Sequence, residues 1–199
     1  TAYRRQRQMC IRDRVLMFNE FSEKAKDPKF RAVIVTGDES AFCGGADITA
    51  AASEDGMGWE SVEQALNEGY HVGLNNLIYM DKVVIAAVEG ACAGIGCAYY
   101  LSSDIAVMAK SSFFQIGFSK IALIPDGGSN WLLTKVVGYQ QAFRMAAEAK
   151  RVSAEECQSL GMCSEICEDG SALDTAMELA KHYAELAPCL LYTSDAADD

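Results

Sequence analysis

Apolar residues fall at 15, 16, 18, 21 and 25 with charged residues between them, the spacing of one helix face, and Asp27-Pro28 closes that helix at residue 26. Residues 31–37 (RAVIVTG) change to a β-branched run and predict a strand, with 37–40 as its exit turn. Helical spacing returns over 62–80. The run Val83, Val84, Ile85, Ala86, Ala87, Val88 has no polar alternation, so it predicts a strand buried on both faces rather than on one. Beyond Glu89 come Gly90, Gly94 and Gly96, followed by a helix-compatible segment at 97–101. A short strand is predicted at 104–109 and helices at 130–137 and 140–149, broken apart by Gly138. Ser153 opens a further helix with Glu156 as its capping-box partner, and Gly161 closes it. A last helix covers 171–186 and stops before Pro188. Helix and strand alternate throughout, which predicts an α/β architecture.

Composition narrows the class. With 199 residues, half of them apolar and 23% charged, the chain is long enough for one substantial core and has the make-up of a soluble globular protein. Its formal charge of −11 would repel a nucleic acid backbone, so any phosphate-bearing ligand has to be held locally. Eight cysteines, at 10, 43, 92, 97, 157, 163, 167 and 189, form no C-x-x-C pair and have no histidines at zinc spacing. Several lie in apolar runs and read as reduced thiols acting as small core residues, which makes the cytoplasm the expected location. Residues 83–101 approach the length of a membrane span, but Glu89 and the small-residue breaks favour a buried strand and helix. The two ends differ from the rest. Residues 1–14 carry five arginines and one acid with neither apolar periodicity nor the apolar stretch of a secretory leader, and 189–199 have the same linker-like character. The expected organisation is a foreign segment at 1–14, a core at 15–188 that is a fragment, and a foreign tail at 189–199.

Three places could carry chemistry. Gly94 and Gly96, ahead of a helix start, let a ligand come close to bare backbone N–H groups, a setting that suits negative charge. Phe42-Cys43-Gly44-Gly45-Ala46-Asp47-Ile48 is a second glycine-bearing turn; it reads equally as a strand-to-helix connection in which Asp47 favours the helix dipole. Ile124-Pro125-Asp126-Gly127-Gly128 holds an acid in a tight turn, although Pro-Asp-Gly is also ordinary turn sequence. Ile121, Leu123 and Ile124 beside it would raise the Asp126 pKa by desolvation. His71 shows no partner in the sequence and reads as surface or core filler.

These same segments, together with the Ser153 to Gly161 helix, occur in an order that resembles the crotonase (enoyl-CoA hydratase/isomerase) superfamily over nearly all of residues 15–188. The resemblance implies a spiral of ββα units, truncated here at both ends. It implies that the Ala46 and Ile95 N–H groups form an oxyanion hole for the thioester carbonyl of an acyl-CoA, with Gly45, Asp47, Ile48, Gly94 and Gly96 shaping the substrate site. Hydratases of this family carry glutamates at the positions matching Ala98 and Phe118, and neither side chain here can move a proton. Isomerase members carry their acid at the position of Asp126. The chain is therefore expected to shift a double bond with one carboxylate base, without hydrating its product, and without a cofactor or metal. A homotrimer or hexamer is expected for the full-length protein, with neither nucleic acid nor membrane as a partner.

Other readings stay open at this point. The chain could bind acyl-CoA without catalysis, or use Asp126 differently, as ring-opening or dehalogenating members do. The nucleophilic, dehalogenase-type use would need an aromatic acyl pocket, for which Phe113, Phe114 and Phe118 are candidates and core positions alike. A Rossmann dinucleotide domain fits less well, since Gly94-Ile95-Gly96 lacks the third glycine and no acid follows at the required distance.

Overall fold

The structure, a computed structural model, describes residues 12–47 and 59–186. It opens with helix α1 (Arg12–Lys24), which starts three residues before the first apolar position of the predicted face and turns Val15 inward. Strand β1 (Ala32–Thr36) leads into β2 (Ala41–Cys43). The turn between them is tied by the Asp38 carboxylate, which accepts the N–H groups of Ser40 at 2.9 Å and Ala41 at 3.2 Å. Helix α2 follows in three consecutive stretches, α-helical at Val62–Gln64, π-helical at Ala65–Tyr70 and α-helical again at His71–Ile78.

The next two units repeat the plan. Strands β3 (Val83–Val88) and β4 (Ala91–Ala93) precede helix α3 (Gly96–Leu101), and β5 (Ile105–Ala109) and β6 (Phe113–Gln115) precede a 3₁₀ turn at Phe118–Ile121 and helix α4 (Ser129–Val137). Helix α5 (Tyr139–Glu148), strand β7 (Val152–Ser153), helix α6 (Ala154–Ser159), strand β8 (Glu165–Cys167) and helix α7 (Ala172–Glu185) complete the described chain. In these three units the first strand joins one sheet, ordered β1-β3-β5-β8, and the second joins another, ordered β2-β4-β6-β7; in the last pair the order is reversed, β7 joining the second sheet before β8 joins the first. Neighbours in the first sheet are parallel; in the second only the β6–β7 pair is antiparallel. This is the spiral of ββα units that the sequence resemblance implied.

Strand β3 is buried along its whole length, as its unbroken apolar run requires. Side chains alternate across a strand. Val84, Ala86 and Val88 therefore enter the main core, while Val83, Ile85 and Ala87 enter a second core against Ala172 and Ala176 of α7. Each Val or Ile buried in this way contributes about 1.5–3 kcal/mol, so the strand is held from both sides. Glu89 ends the run for a structural reason: its carboxylate accepts the Ala172 N–H at 3.0 Å, an acid at the start of α7 where backbone donors lack partners.

The first sheet's β1, β3 and β5 and the helices follow the sequence pattern to within a few residues. The second sheet does not. Its strands are two or three residues long, too short to display any periodicity, and they form because Gly90 bends the chain between β3 and β4 at φ +55°. A Cβ at Gly90 would stand 2.1 Å from the Ser40 carbonyl oxygen, so the bend is open only to glycine. The capping box at Ser153 and Glu156 is present as read, with contacts of 3.0 and 3.2 Å. The six described cysteines are all free, and four of them are buried. Among the described residues no helix is long and apolar enough to cross a membrane.

Tyr100 on α3 joins this core to the segment after α6: its hydroxyl donates to the Met162 carbonyl at 2.6 Å, fully inside the protein. Replacing it by Phe keeps the ring and strands the carbonyl. Tyr100→Phe is expected to lower stability by about 1–3 kcal/mol, read as a lower denaturant midpoint with an unchanged slope.

Candidate active site

Strands β2 and β4 run side by side with Cys43 opposite Cys92, so the turns that follow them leave the second sheet together. Both turns use glycine in the left-handed region, Gly45 at φ +96° and Gly94 at φ +57°. A Cβ on Gly94 would come within 3.1 Å of the Gly45 Cα, and one on Gly45 within 3.3 Å of the Ala93 carbonyl oxygen. The turns thus meet backbone to backbone, and any side chain at these positions would force them apart. Ala46 and Ile95 are the residues immediately after. Ile95 sits at the start of α3 with its side chain buried, and among the described residues its N–H has no backbone acceptor. Gly96, the first residue of α3, lies against Cys43: a Cβ there would be 2.6 Å from the Cys43 Cβ. Asp47 is buried beside the first turn, and Ile48 lies outside the described residues.

A third turn closes on the same place. Gly127, at φ +59°, would bring a Cβ to 2.2 Å from Ile95 Cδ1 and 3.4 Å from both Ala98 Cβ and Leu74 Cδ1. The Asp126 turn is therefore pressed onto the first residues of α3 and onto α2. Its backbone is anchored by Ser129, whose N–H and hydroxyl both donate to the Asp126 carbonyl, at 3.0 and 2.7 Å. The Asp126 side chain is half-buried, and its Oδ1 is shut away from solvent without a hydrogen-bond partner. Burial pushes the carboxyl pKa above its ordinary value, opposed only in part by its own backbone N–H and by the positive charge of His71. The source of this desolvation differs from the sequence expectation. Ile121, Leu123 and Ile124 are exposed, Ile124 to 82%, and the packing against the turn comes instead from Ile95, Ala98 and Leu74.

His71 lies on the stretch of α2 that carries Leu74. Phe114 and Phe118 belong to the main core, and Phe113 lies under the Arg151 guanidinium at 4.2 Å, so the three rings do not form an aromatic acyl pocket. Ala98 meets the Asp126 turn with a methyl group, 3.4 Å from where a Gly127 Cβ would stand. A cavity of about 520 Å³ opens between α1 and strands β1 and β2, walled by Val15, Phe18, Phe42, Cys43 and Tyr99 among others; neither Ile95 nor Asp126 reaches it.

Comparison with known proteins identifies the family and the fold. The model of the enoyl-CoA hydratase/isomerase family matches residues 9–196. A 1,2-epoxyphenylacetyl-CoA isomerase of Escherichia coli is 36% identical over 166 residues, covering 80% of this chain and 61% of the relative. A probable enoyl-CoA hydratase of Rhodobacter capsulatus is 37% identical over 139 residues, 70% of this chain and 52% of the relative. The chain thus spans between half and two thirds of the length of these two relatives. Among solved structures, an enoyl-CoA hydratase from Bacillus anthracis superposes with a TM-score of 0.89 at 24% identity, over 98% of this chain and 76% of its own, a likeness of fold.

An acid whose pKa is raised by folding binds its proton more readily in the native state, so it lowers stability increasingly as pH rises above the unfolded carboxyl's value near 4. Asp126→Asn is accordingly expected to raise the denaturation midpoint at neutral pH. The gain should shrink as the pH falls to that of the unfolded carboxyl, and denaturation curves of both proteins across this range test it.

Proposed function

The chain belongs to the enoyl-CoA hydratase/isomerase family, and on that footing we propose that it acts on an acyl-CoA thioester as an enoyl-CoA isomerase, moving a double bond through an enolate. The observation that carries this reading is the Asp126 carboxylate on the turn that packs against the start of α3, half-buried, with a raised pKa and one oxygen unpartnered. Removing a proton alpha to a thioester places negative charge on the carbonyl oxygen. The Ala46 and Ile95 N–H groups, on the two glycine turns, are the proposed donors to that oxygen, each stabilising the enolate by roughly 3 kcal/mol. Gly45, Gly94 and Gly96 supply the close approach, and Asp47 lies beside it.

Asp126 then takes the proton from C2 and returns it at C4. A raised pKa suits this task, because a carboxylate of ordinary acidity is a poor acceptor of a proton from carbon. Hydration would require a second acid to activate water. Ala98 and Phe118 occupy the positions where hydratases of the family carry glutamates, and Phe118 is buried in the core. The proton shuttle proposed here needs no cofactor. Trp131, Tyr139 and Phe143 on α4 and α5 are exposed and offer apolar surface for the homotrimer or hexamer that belongs to the same reading.

A second reading has its own support. The 36% identical relative is named for a substrate that bears a ring, so a phenylacetyl-type thioester is the alternative acyl group. Both readings use Asp126 as the acid–base group.

Two outcomes follow. In a complex with an acyl-CoA, the thioester oxygen is expected about 3 Å from both the Ala46 and Ile95 nitrogens; a crystal structure with the oxygen bound elsewhere would remove the oxyanion assignment. The purified protein is expected to convert a 3-enoyl-CoA to the conjugated 2-enoyl-CoA without accumulating 3-hydroxyacyl-CoA. Asp126→Asn should lower kcat by about 10²–10⁴ with little change in KM, followed by absorbance of the conjugated thioester. Full activity in the variant, or hydration by the wild type, would overturn the single-carboxylate mechanism.

A further inference from the structure

Two thiols stand side by side beneath the glycine turns, and the proposed reaction uses neither. Strands β2 and β4 are parallel neighbours with Cys43 in register with Cys92. Among the described residues this is the one place where two cysteines are paired across neighbouring strands. Neighbouring strands lie about 4.8 Å apart, inside the Cα separation of about 4.4–6.8 Å that a disulfide spans. Both side chains also reach the start of α3. A Cβ on Gly96 would stand 2.6 Å from the Cys43 Cβ and 3.0 Å from its Sγ, and the Cys92 thiol donates to the Gly96 carbonyl at 3.7 Å. One residue of α3 thus touches both.

The two thiols differ in access. Cys43 is half-buried and lines the cavity of about 520 Å³ between α1 and strands β1 and β2, which a small oxidant can enter. Cys92 is shut inside the core; burial, and after it the neighbouring Cys97 and Cys43 thiols, push its pKa well up and keep it protonated. Oxidation therefore begins at Cys43. The other buried thiols are turned elsewhere: Cys97 donates to the carbonyls of Cys92 at 3.6 Å and Gln115 at 3.3 Å, and Cys163 to that of Glu165 at 3.1 Å.

From this geometry we propose that Cys43 and Cys92 form a redox modification site, oxidised by a small hydroperoxide to a disulfide that ties β2 to β4 beneath the two glycine turns. The Cys43 sulfur attacks the O–O bond of hydrogen peroxide, taking one oxygen as a sulfenic acid and releasing one water. The Cys92 sulfur then displaces the hydroxyl from Cys43, and its own proton leaves with that hydroxyl as a second water. Two thiols lose two electrons and two protons, and the peroxide is reduced to two waters. The bond acts on the first turn. In the reduced protein the Cys43 Sγ accepts the Gly45 N–H at 3.4 Å, and drawing the sulfur toward Cys92 removes that acceptor.

The inference stands on the strand register, not on the proposed reaction, and its test uses no acyl-CoA. The whole chain, folded and reduced, is treated with hydrogen peroxide, its remaining thiols are alkylated, and the monomer from a non-reducing gel is digested with trypsin. Residues 32–82 carry Cys43 and residues 83–110 carry Cys92 and Cys97, so the bond joins two separate peptides. This linked pair is expected to be the dominant disulfide of wild type, lighter by two hydrogens than its halves and released by dithiothreitol. Cys97→Ala should keep it, whereas Cys43→Ser and Cys92→Ala should lose it. In Cys92→Ala a 1,3-dione should trap Cys43 as the sulfenic acid. The Gly45 amide signal of wild type should shift on oxidation and return on reduction. A wild type without the link, with Cys92 joined to Cys97, or with Cys43 joined to another cysteine overturns the proposal, and decides the matter even where a buried variant does not fold. A link equally abundant after oxidation in denaturant overturns it too, since the strand register would then play no part.

Discussion

The approach of Gly45 to Gly94, with backbone atoms where side chains would ordinarily stand, is the constraint on which the candidate site depends. Each glycine lies within two residues of the end of a three-residue strand of the second sheet, and each holds a positive φ that turns the chain toward the next segment. With Cβ atoms at both positions the turns could not share one small volume, and the Ala46 and Ile95 N–H groups proposed as oxyanion donors would be forced apart. Gly127 applies the same principle from a third direction, pressing the Asp126 turn onto Ile95. The site is thus a matter of what is missing at three positions, held by elements too well buried to relax around a substitution.

Those elements owe their rigidity to the first sheet. Strand β3 is packed on both faces, against the main core and against α7, and it feeds directly into the bend at Gly90 and the short strand that carries Gly94. Glu89 at that bend and Asp126 at the turn show two fates of an acid inside this fold. Glu89 is compensated by a backbone donor of α7 and serves the architecture. Asp126 keeps an uncompensated oxygen and a raised pKa, a cost in stability that a purely structural residue would have no reason to carry. The π turn in α2 is an irregular stretch packed firmly by α1, through the Asn19 side chain on the Gly69 carbonyl.

By itself, the sequence determined the α/β class, the doubly buried strand at 83–88, the helix punctuation at Gly138, Ser153 and Gly161, and the three turns with their glycines and acid. Each of these is a local matter, set by side-chain periodicity, by a cap or by a backbone angle that only glycine adopts easily, and each is legible within a dozen residues. The tertiary structure alone decided the rest. Strands of two or three residues become a sheet only when neighbours from successive units align, so the second sheet left no periodic trace. The turn that holds Asp126 packs against Ile95, Ala98 and Leu74, whereas the apolar residues adjacent to it in sequence, Ile121, Leu123 and Ile124, stay exposed. Burial and electrostatic coupling are sums over neighbours in space, and a chain carries no record of them until it has folded.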